Sequence, residues 1–545
     1  MLSYQTVRQA TGLGAAVVGG VLALPIVWVA GSVLQPAGDA WRHIAATLLG
    51  AYVANTALLV ALVACGVISI GVISAWLVAS YRFPGSRLLQ WALVLPLAMP
   101  AYVLAYAYTD WLQFAGPVQG ALRALTGWQV REYWFPEIRS LPGAAAVLSL
   151  ALYPYVYLIA RAAFRDLPRS AIEAGRLAGL GAWGSLLRVA LPLARPAVAA
   201  GTALALMETL ADFGTVSYFS LEVFTTGIFK AWFGMGDATA AAQLSTCLLG
   251  FVVLVLALER ATRGRSAFHA GGQAKPVPLQ RLRGAPAALA TLACGLPVLA
   301  GFVLPAAILA QLALESPEAR GGARLLALMA NSFTVSGVTA VAAVALAVGL
   351  AYAARLTRSG LAAGANRLAA LGYAVPGAVV AVGVLVPLGR LDNWLAGMVE
   401  AATGKPAGLL LTGSIAALVY ACLVRFLAVA LQTVDAGLQR ITPSMEDAAR
   451  SLGASPAAAL ARVHAPLLAP SLATAALLVF VDVMKELPAT FALRPFDFDT
   501  LAVEAYHLAK DERLAEAAVP SLVIVAVGLV PLVILARRYF QPTRS

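Results

Sequence analysis

Apolar runs of about twenty residues or more recur along most of this chain, and few folds accommodate them. Runs of that length read as helices that cross a bilayer, because a helix satisfies its backbone polar groups within the segment while its side chains meet lipid. Charge supports this. Of 545 residues, 61% are hydrophobic and 12% are charged, with a mean hydropathy of +0.83. Soluble chains carry about 25% charged residues, so this chain has too little polar surface to cover a water-soluble core. No segment shows the alternation of a membrane β-barrel strand. The fold class read from these features is an all-α membrane protein of about twelve transmembrane helices.

The runs predict spans at 13–35, 48–79, 88–108, 142–163, 192–213, 239–259, 286–314, 326–354, 366–389, 408–431, 467–490 and 517–537. A run such as 48–79 exceeds a bilayer's thickness and must tilt, kink or protrude; Gly66 and Gly71 would permit a bend. The apolar stretch from Leu13 to Leu34 follows a weak basic start at Arg8. It is longer than a signal-peptide core and lacks a small-residue cleavage site, so it reads as an uncleaved first span. With the N-terminus in the cytoplasm, 25 Lys and Arg fall on the cytoplasmic side and 13 outside, as the positive-inside rule requires. Both termini are then cytoplasmic. The net charge of +12 is a topology signal carried by short loops beside spans, and nucleic acid is not an expected partner.

The chain repeats itself. EAGRLAGLGAWGSLLRVALP (173–192) and DAARSLGASPAAALARVHAP (447–466) are polar islands 274 residues apart. Glu173 aligns with Asp447, Arg176 with Arg450, Gly179 with Gly453, Arg188 with Arg462 and Pro192 with Pro466. Asn55-Thr56 and Asn331-Ser332 repeat at an offset of 276, as do Pro100 and Pro376. A basic segment rich in Gly and Pro, 260–285, joins span six to span seven. Six spans before it leave both copies in the same orientation, a parallel duplication. The domains expected are a first half at 1–259 with its island at 168–192, a cytoplasmic linker at 260–285, and a second half at 286–545 with its island at 442–466.

Each island reads as a short helix, residues 168–183 and 442–455, closed by a glycine turn. Pro168 and Pro443 precede the helices, and an acidic residue in the early turns suits the helix dipole. Gly179 and Gly453 suit a positive-φ C-cap. Pro192 and Pro466 are expected to help start the next span.

Two carboxylates follow in each half. Glu208 and Asp212 are four apart, as are Asp482 and Glu486, again at an offset of 274. On a continuous helix each pair shares a face, roughly 24–30 Å beyond Pro192 or Pro466 and so in the outer half of the membrane. Charges in lipid cost roughly 2.5 kcal/mol or more, so these groups are expected to face the bundle interior or water. Four carboxylates around a two-fold path would attract a hard trivalent cation. The competing reading has them solvated at the span ends or paired with Lys485 or Arg494. The outer loop 494–516 is rich in carboxylates and reads either as a docking face or as a solvated loop.

Other chemistry is missing. Cys65, Cys247, Cys294 and Cys422 each sit alone in apolar runs and read as packing residues. His43, His269, His464 and His507 are scattered. Gly404-Lys405-Pro406 lacks the remainder of a P-loop, so ATP hydrolysis is not expected on this chain.

Glu173-Ala174-Gly175, then Gly179, Val189 and Leu191-Pro192, resembles the EAA signature of binding-protein-dependent ABC importer permeases. Asp447-Ala448-Ala449, Gly453, Val463 and Ala465-Pro466 resembles it with Asp for Glu and Ala for Leu. The resemblance implies a fused two-permease subunit of type I importer fold. It also implies that the islands are coupling helices seated on cytoplasmic ATPase subunits, in two copies. ATP and Mg would be bound there, with no cofactor on this chain, and a periplasmic binding protein would deliver the solute at the bacterial inner membrane. METLADFGTVSYFS (207–220), TTGIFKAWFGMGD (225–237) and residues 481–520 resemble ferric-iron permeases; close relatives of those carry thiamine, phosphonates, polyamines or oxyanions. A secondary transporter of the major-facilitator type shares the twelve-span parallel layout and is the alternative from another class.

Overall fold

The computed structural model of the chain describes residues 4–129, 132–263, 279–315, 322–357, 359–406 and 408–539. The centre of the expected linker, 264–278, lies outside them. The described residues are overwhelmingly helical, and the one sheet among them is a two-residue parallel pair, β1 (Tyr81–Arg82) with β2 (Gln280–Arg281). Eleven helices are long and apolar enough to cross a membrane, or twelve if the bent pair Ser86–Ala98 and Ala101–Thr126 is one span. The all-α membrane fold read from the runs is the fold observed.

Three spans are not the continuous helices expected: the eleventh, expected at 467–490, ends at Met484, and two others break at a proline. The third, expected at 88–108, is broken by a 93° bend, and Pro100 stands at the break. The ninth, expected at 366–389, is a helix Gly360–Leu371, a turn Gly372–Ala374, and a new helix Gly377–Thr403 that starts after Pro376. One cause serves both breaks. A residue before proline is pushed out of the helical region. Met99 and Val375 are extended, with ψ of 108° and 126°. Pro100 and Pro376 follow with nearly identical φ and ψ of −58°, 141° and −57°, 142°, and each opens the next helix.

The helix Leu49–Ser80 runs unbroken through Gly66 and Gly71. They let it approach its neighbour. A Cβ on Gly66 would lie 2.2 Å from Ser149 Oγ, and one on Gly71 would lie 2.7 Å from Val156 Cβ. Both neighbours belong to the helix Leu141–Arg165. Small residues at such contacts are how membrane helices gain close packing.

By backbone contacts the chain divides into two compact units. One comprises Met1–Trp41, Ile228–Thr246 and Ala323–Val503; the other comprises Arg42–Gly227, Cys247–Gly322 and Glu504–Ser545. These are not the two sequence halves. In the first unit the opening helix Tyr4–Gly31 packs on Ala323–Thr357, Gly360–Leu371 and Gly377–Thr403. Tyr420 there donates a hydrogen bond to the Val21 carbonyl at 2.5 Å. In the second unit the helical path Ala285–Glu315 packs on Leu49–Ser80, Ala101–Leu112 and Leu514–Tyr539. The opening span of each sequence half thus lies in the unit built mainly from the other.

Candidate coupling and carboxylate sites

Both islands fold alike. The helices are Arg169–Leu177 and Pro443–Ser451. Gly179 and Gly453 follow at φ +78° and +81°, a conformation that costs an L-residue roughly 1–2 kcal/mol. Leu180 N donates to Gly175 O, and Ala454 N to Ala449 O, both at 3.0 Å. This six-to-one bond closes a Schellman turn. Ala174 O and Ala448 O, one residue earlier, accept from Ala178 N at 3.0 Å and Leu452 N at 3.1 Å.

The small residue ending each acidic triplet is set by packing. Gly175 is buried, and a Cβ there would lie 3.2 Å from Val189 Cγ2. Ala449, its counterpart, is 8% exposed. Glu173, Ala174, Asp447 and Ala448 face outward. So do large apolar side chains: Leu177, Trp183 and Leu187 around the first island, Met445 and Leu452 on the second.

Pro192 and Pro466 stand in the first turns of the helices Leu191–Ala211 and Ala465–Met484, but the helical paths begin before them. The helical paths run from Trp183 to Ala211 and from Pro456 to Met484, with a π-turn just before each proline region, Leu186–Ala190 and Leu460–His464. A proline inside a helix removes one backbone bond and crowds the preceding turn. A widened turn beside it relieves that conflict without ending the helix.

The second island carries a polar anchor. Glu446 is paired with Arg355, and Arg355 also donates to Leu438 O at 2.5 Å and Ile441 O at 2.6 Å. Fully buried His464 lies with Nε2 3.2 Å from the same Glu446 oxygen. At the matching offsets the first half has Ile172, Ala190 and Ala79, so this anchor has no polar counterpart there.

The carboxylates do not share helix faces, because each helix ends between the two. Leu191–Ala211 stops before Asp212, and Ala465–Met484 before Glu486. Asp212 accepts from Thr215 N at 3.0 Å, Thr215 Oγ1 at 3.0 Å and Val216 N at 3.1 Å. Glu486 accepts from Ala489 N at 2.9 Å and from Thr490 N and Oγ1, both at 2.8 Å. Each therefore caps the short helix that follows, Gly214–Tyr218 or Pro488–Leu493. Buried Glu486 is further paired with Arg425 at 3.1 Å. Asp482 is paired with Lys485 at 3.0 Å, one of the two partners expected, whereas Arg494 is paired with Asp499 at 2.7 Å. Glu208 is half-buried within its helix. Among the described residues no group of three or more His, Cys, Asp or Glu is placed to hold a metal.

The repeated Asn-hydroxyl pairs tie the second span of each half to a segment about 168 residues later. Asn55 Nδ2 donates to Glu222 O at 2.9 Å, and Thr56 Oγ1 accepts from Phe224 N at 3.3 Å. Asn331 Nδ2 donates to Asp499 O at 3.0 Å, and Ser332 Oγ accepts from Leu501 N at 2.8 Å. The sequence showed the pairs but not their partners, which are backbone groups that leave no residue signature. Within 494–516, read as a surface loop, Leu501–Lys510 is a helix with Leu501, Ala502, Val503, Ala505 and Tyr506 buried. Its apolar residues win over its charges.

Residues 67–262 match the family described as binding-protein-dependent transport system inner membrane component. The chain is 28% identical over 497 residues to the Fe(3+)-transport system permease protein FbpB 2 of Haemophilus influenzae, covering 89% of this chain and 90% of that protein. It is 24% identical over 463 residues to the probable ABC transporter permease protein y4fN of Sinorhizobium fredii, covering 80% and 77%. Over 196 residues it is 28% identical to the molybdenum transport system permease protein ModB of Escherichia coli, covering 34% of this chain and 81% of that one. With the duplicated helical fold, these matches define a class: membrane permease components of ATP-binding-cassette importers. Over residues 67–262 the chain is similar to the binding-protein-dependent permeases of that class.

Proposed function

We propose that the chain carries both permease halves of an importer that moves ferric iron into the cytoplasm across the bacterial inner membrane. The observation that carries the importer mechanism is the island present twice with one geometry: an exposed acidic end, a positive-φ glycine and the same six-to-one closure. Two equivalent knobs suit two copies of a cytoplasmic ATPase, which would bind ATP and Mg, while the chain itself holds no cofactor. Glu173, Ala174, Gly175, Gly179 and Pro192 form one seat, and Asp447, Ala448, Ala449, Gly453 and Pro466 the other. ATP-driven closure of the ATPases would press on both and switch the permease between outward and inward access. A periplasmic binding protein would supply the solute. The excess of Lys and Arg in one set of loops supports cytoplasmic termini.

Similarity to an Fe(3+) permease over 89% of the chain supports iron(III) as solute. The similarity to a molybdenum permease over 34% of the chain favours an oxyanion as the second reading. For the path, the candidates are Glu208, Asp212, Asp482 and Glu486, of which Asp212 and Glu486 also serve as helix caps and Asp482 pairs with Lys485. The test is ATP-dependent uptake in proteoliposomes containing the chain, its ATPase and a loaded binding protein. Uptake of radiolabelled iron(III) that needs all three supports iron. Molybdate uptake without iron uptake selects the second reading.

A further inference from the structure

Five arginines converge at one place. A cavity of about 1980 Å³ in the second compact unit is lined by Arg82, Arg87, Arg165, Arg281 and Arg283. No Asp or Glu is among the described residues that line it, and residues 264–278, which precede β2 in sequence, contain none either. These arginines come from three distant stretches held together by backbone and side-chain hydrogen bonds. β1 pairs with β2 in register Tyr81 with Gln280 and Arg82 with Arg281, and Leu282 N donates to Arg82 O at 2.9 Å. Thr291 Oγ1 donates to Pro84 O at 3.0 Å. Gln90 Oε1 accepts from Arg161 at 3.2 Å and Arg165 at 3.5 Å, holding the far wall. A loop that merely obeyed the positive-inside rule would need none of this convergence.

Guanidinium forks match phosphate oxygens two at a time. The cavity also exceeds the roughly 300–1,000 Å³ of small-ligand sites, and its walls are apolar at Val78, Leu282 and Val533. Val533 lies on a membrane-spanning helix. We propose that this cavity holds the headgroup of an anionic phospholipid of the inner leaflet, with the acyl chains along the apolar wall. Free phosphate esters share the headgroup chemistry but not the use for that wall. The proposal rests on the membrane orientation above and is independent of the solute.

The test is native mass spectrometry of the full-length protein in detergent, titrated with phosphatidylglycerol and, in parallel, phosphatidylcholine. Each basic residue near an anionic lipid surface contributes about a fivefold preference. Arg82→Gln/Arg281→Gln/Arg283→Gln should therefore weaken phosphatidylglycerol binding about 100-fold, and the matching Lys variant should largely restore it. Should the triple variant not fold, Arg281→Gln/Arg283→Gln, at two exposed positions, should weaken binding about 25-fold. Inorganic phosphate and glycerol 3-phosphate should not displace the lipid. Unchanged binding in the Gln variants, equal binding of phosphatidylcholine, or displacement by glycerol 3-phosphate would each overturn the assignment, the last in favour of a free phosphate ester.

Discussion

Asp212 and Glu486 occupy matching positions and do the same local work, yet they differ in what their loss should cost. Each receives two backbone N–H groups and a threonine hydroxyl. Glu486 alone has a buried arginine partner. Removing a cap costs about 1 kcal/mol, whereas stranding a buried charge costs about 3–5 kcal/mol. Thermal unfolding in detergent should therefore show Glu486→Ala as much the more damaging substitution. Asp212→Ala should lower stability by about 1 kcal/mol. Equal losses would mean that Arg425 finds another acceptor. The residues themselves were legible in the sequence, as repeated carboxylates at the right offset. Their role was not, because an acid four residues after another looks the same on a helix and past its end. What ends the helix is the cap geometry, which depends on backbone groups three and four residues downstream.

At the scale of elements, the islands and the broken spans were readable for different reasons. Gly179 and Gly453 carry a backbone requirement that few residues besides glycine meet cheaply, so the turn could be placed from sequence. Each substituted by Ala should destabilise its island by roughly 1–2 kcal/mol, seen as faster hydrogen exchange in 169–180 or 443–454 respectively. Pro100 and Pro376 were visible as a repeat, but hydropathy carried straight through them and hid the breaks. The π-turns before Pro192 and Pro466 left no compositional mark at all. The anchor on the second island was hidden for another reason: Arg355, Glu446 and His464 are distant in sequence and have apolar counterparts in the first half. Glu446→Ala should speed exchange in 443–453 and leave 169–179 unchanged, since among the described residues this anchor holds the second island. Similar acceleration of both islands would contradict a local anchor. Asn331→Ala should loosen the segment around 499–501 by about 1 kcal/mol for each lost bond, read by exchange in the same experiment.

For the whole molecule, the membrane class, the helix count and the duplication followed from run length, charge distribution and repeats. Which helices keep company did not. The opening helix Tyr4–Gly31 packs on helices some 300 residues later in sequence, and nothing in its composition distinguishes one lipid-embedded neighbour from another. Its contacts are made by absent side chains: a Cβ on Gly19 would lie 2.9 Å from Ala365 O. Truncating this helix is therefore expected to damage the unit containing 323–503 more than the rest of its own sequence half, as measured by proteolysis of the two regions.

The most direct test of an importer driven through twin islands is ATP-dependent uptake by the reconstituted transporter carrying Glu173→Lys together with Asp447→Lys. Both side chains are exposed, so the fold should survive. Uptake should fall at least tenfold while the purified chain keeps its thermal stability. Uptake at the unmodified rate, with ATP turnover still stimulated by the loaded binding protein, would contradict coupling through these two helices.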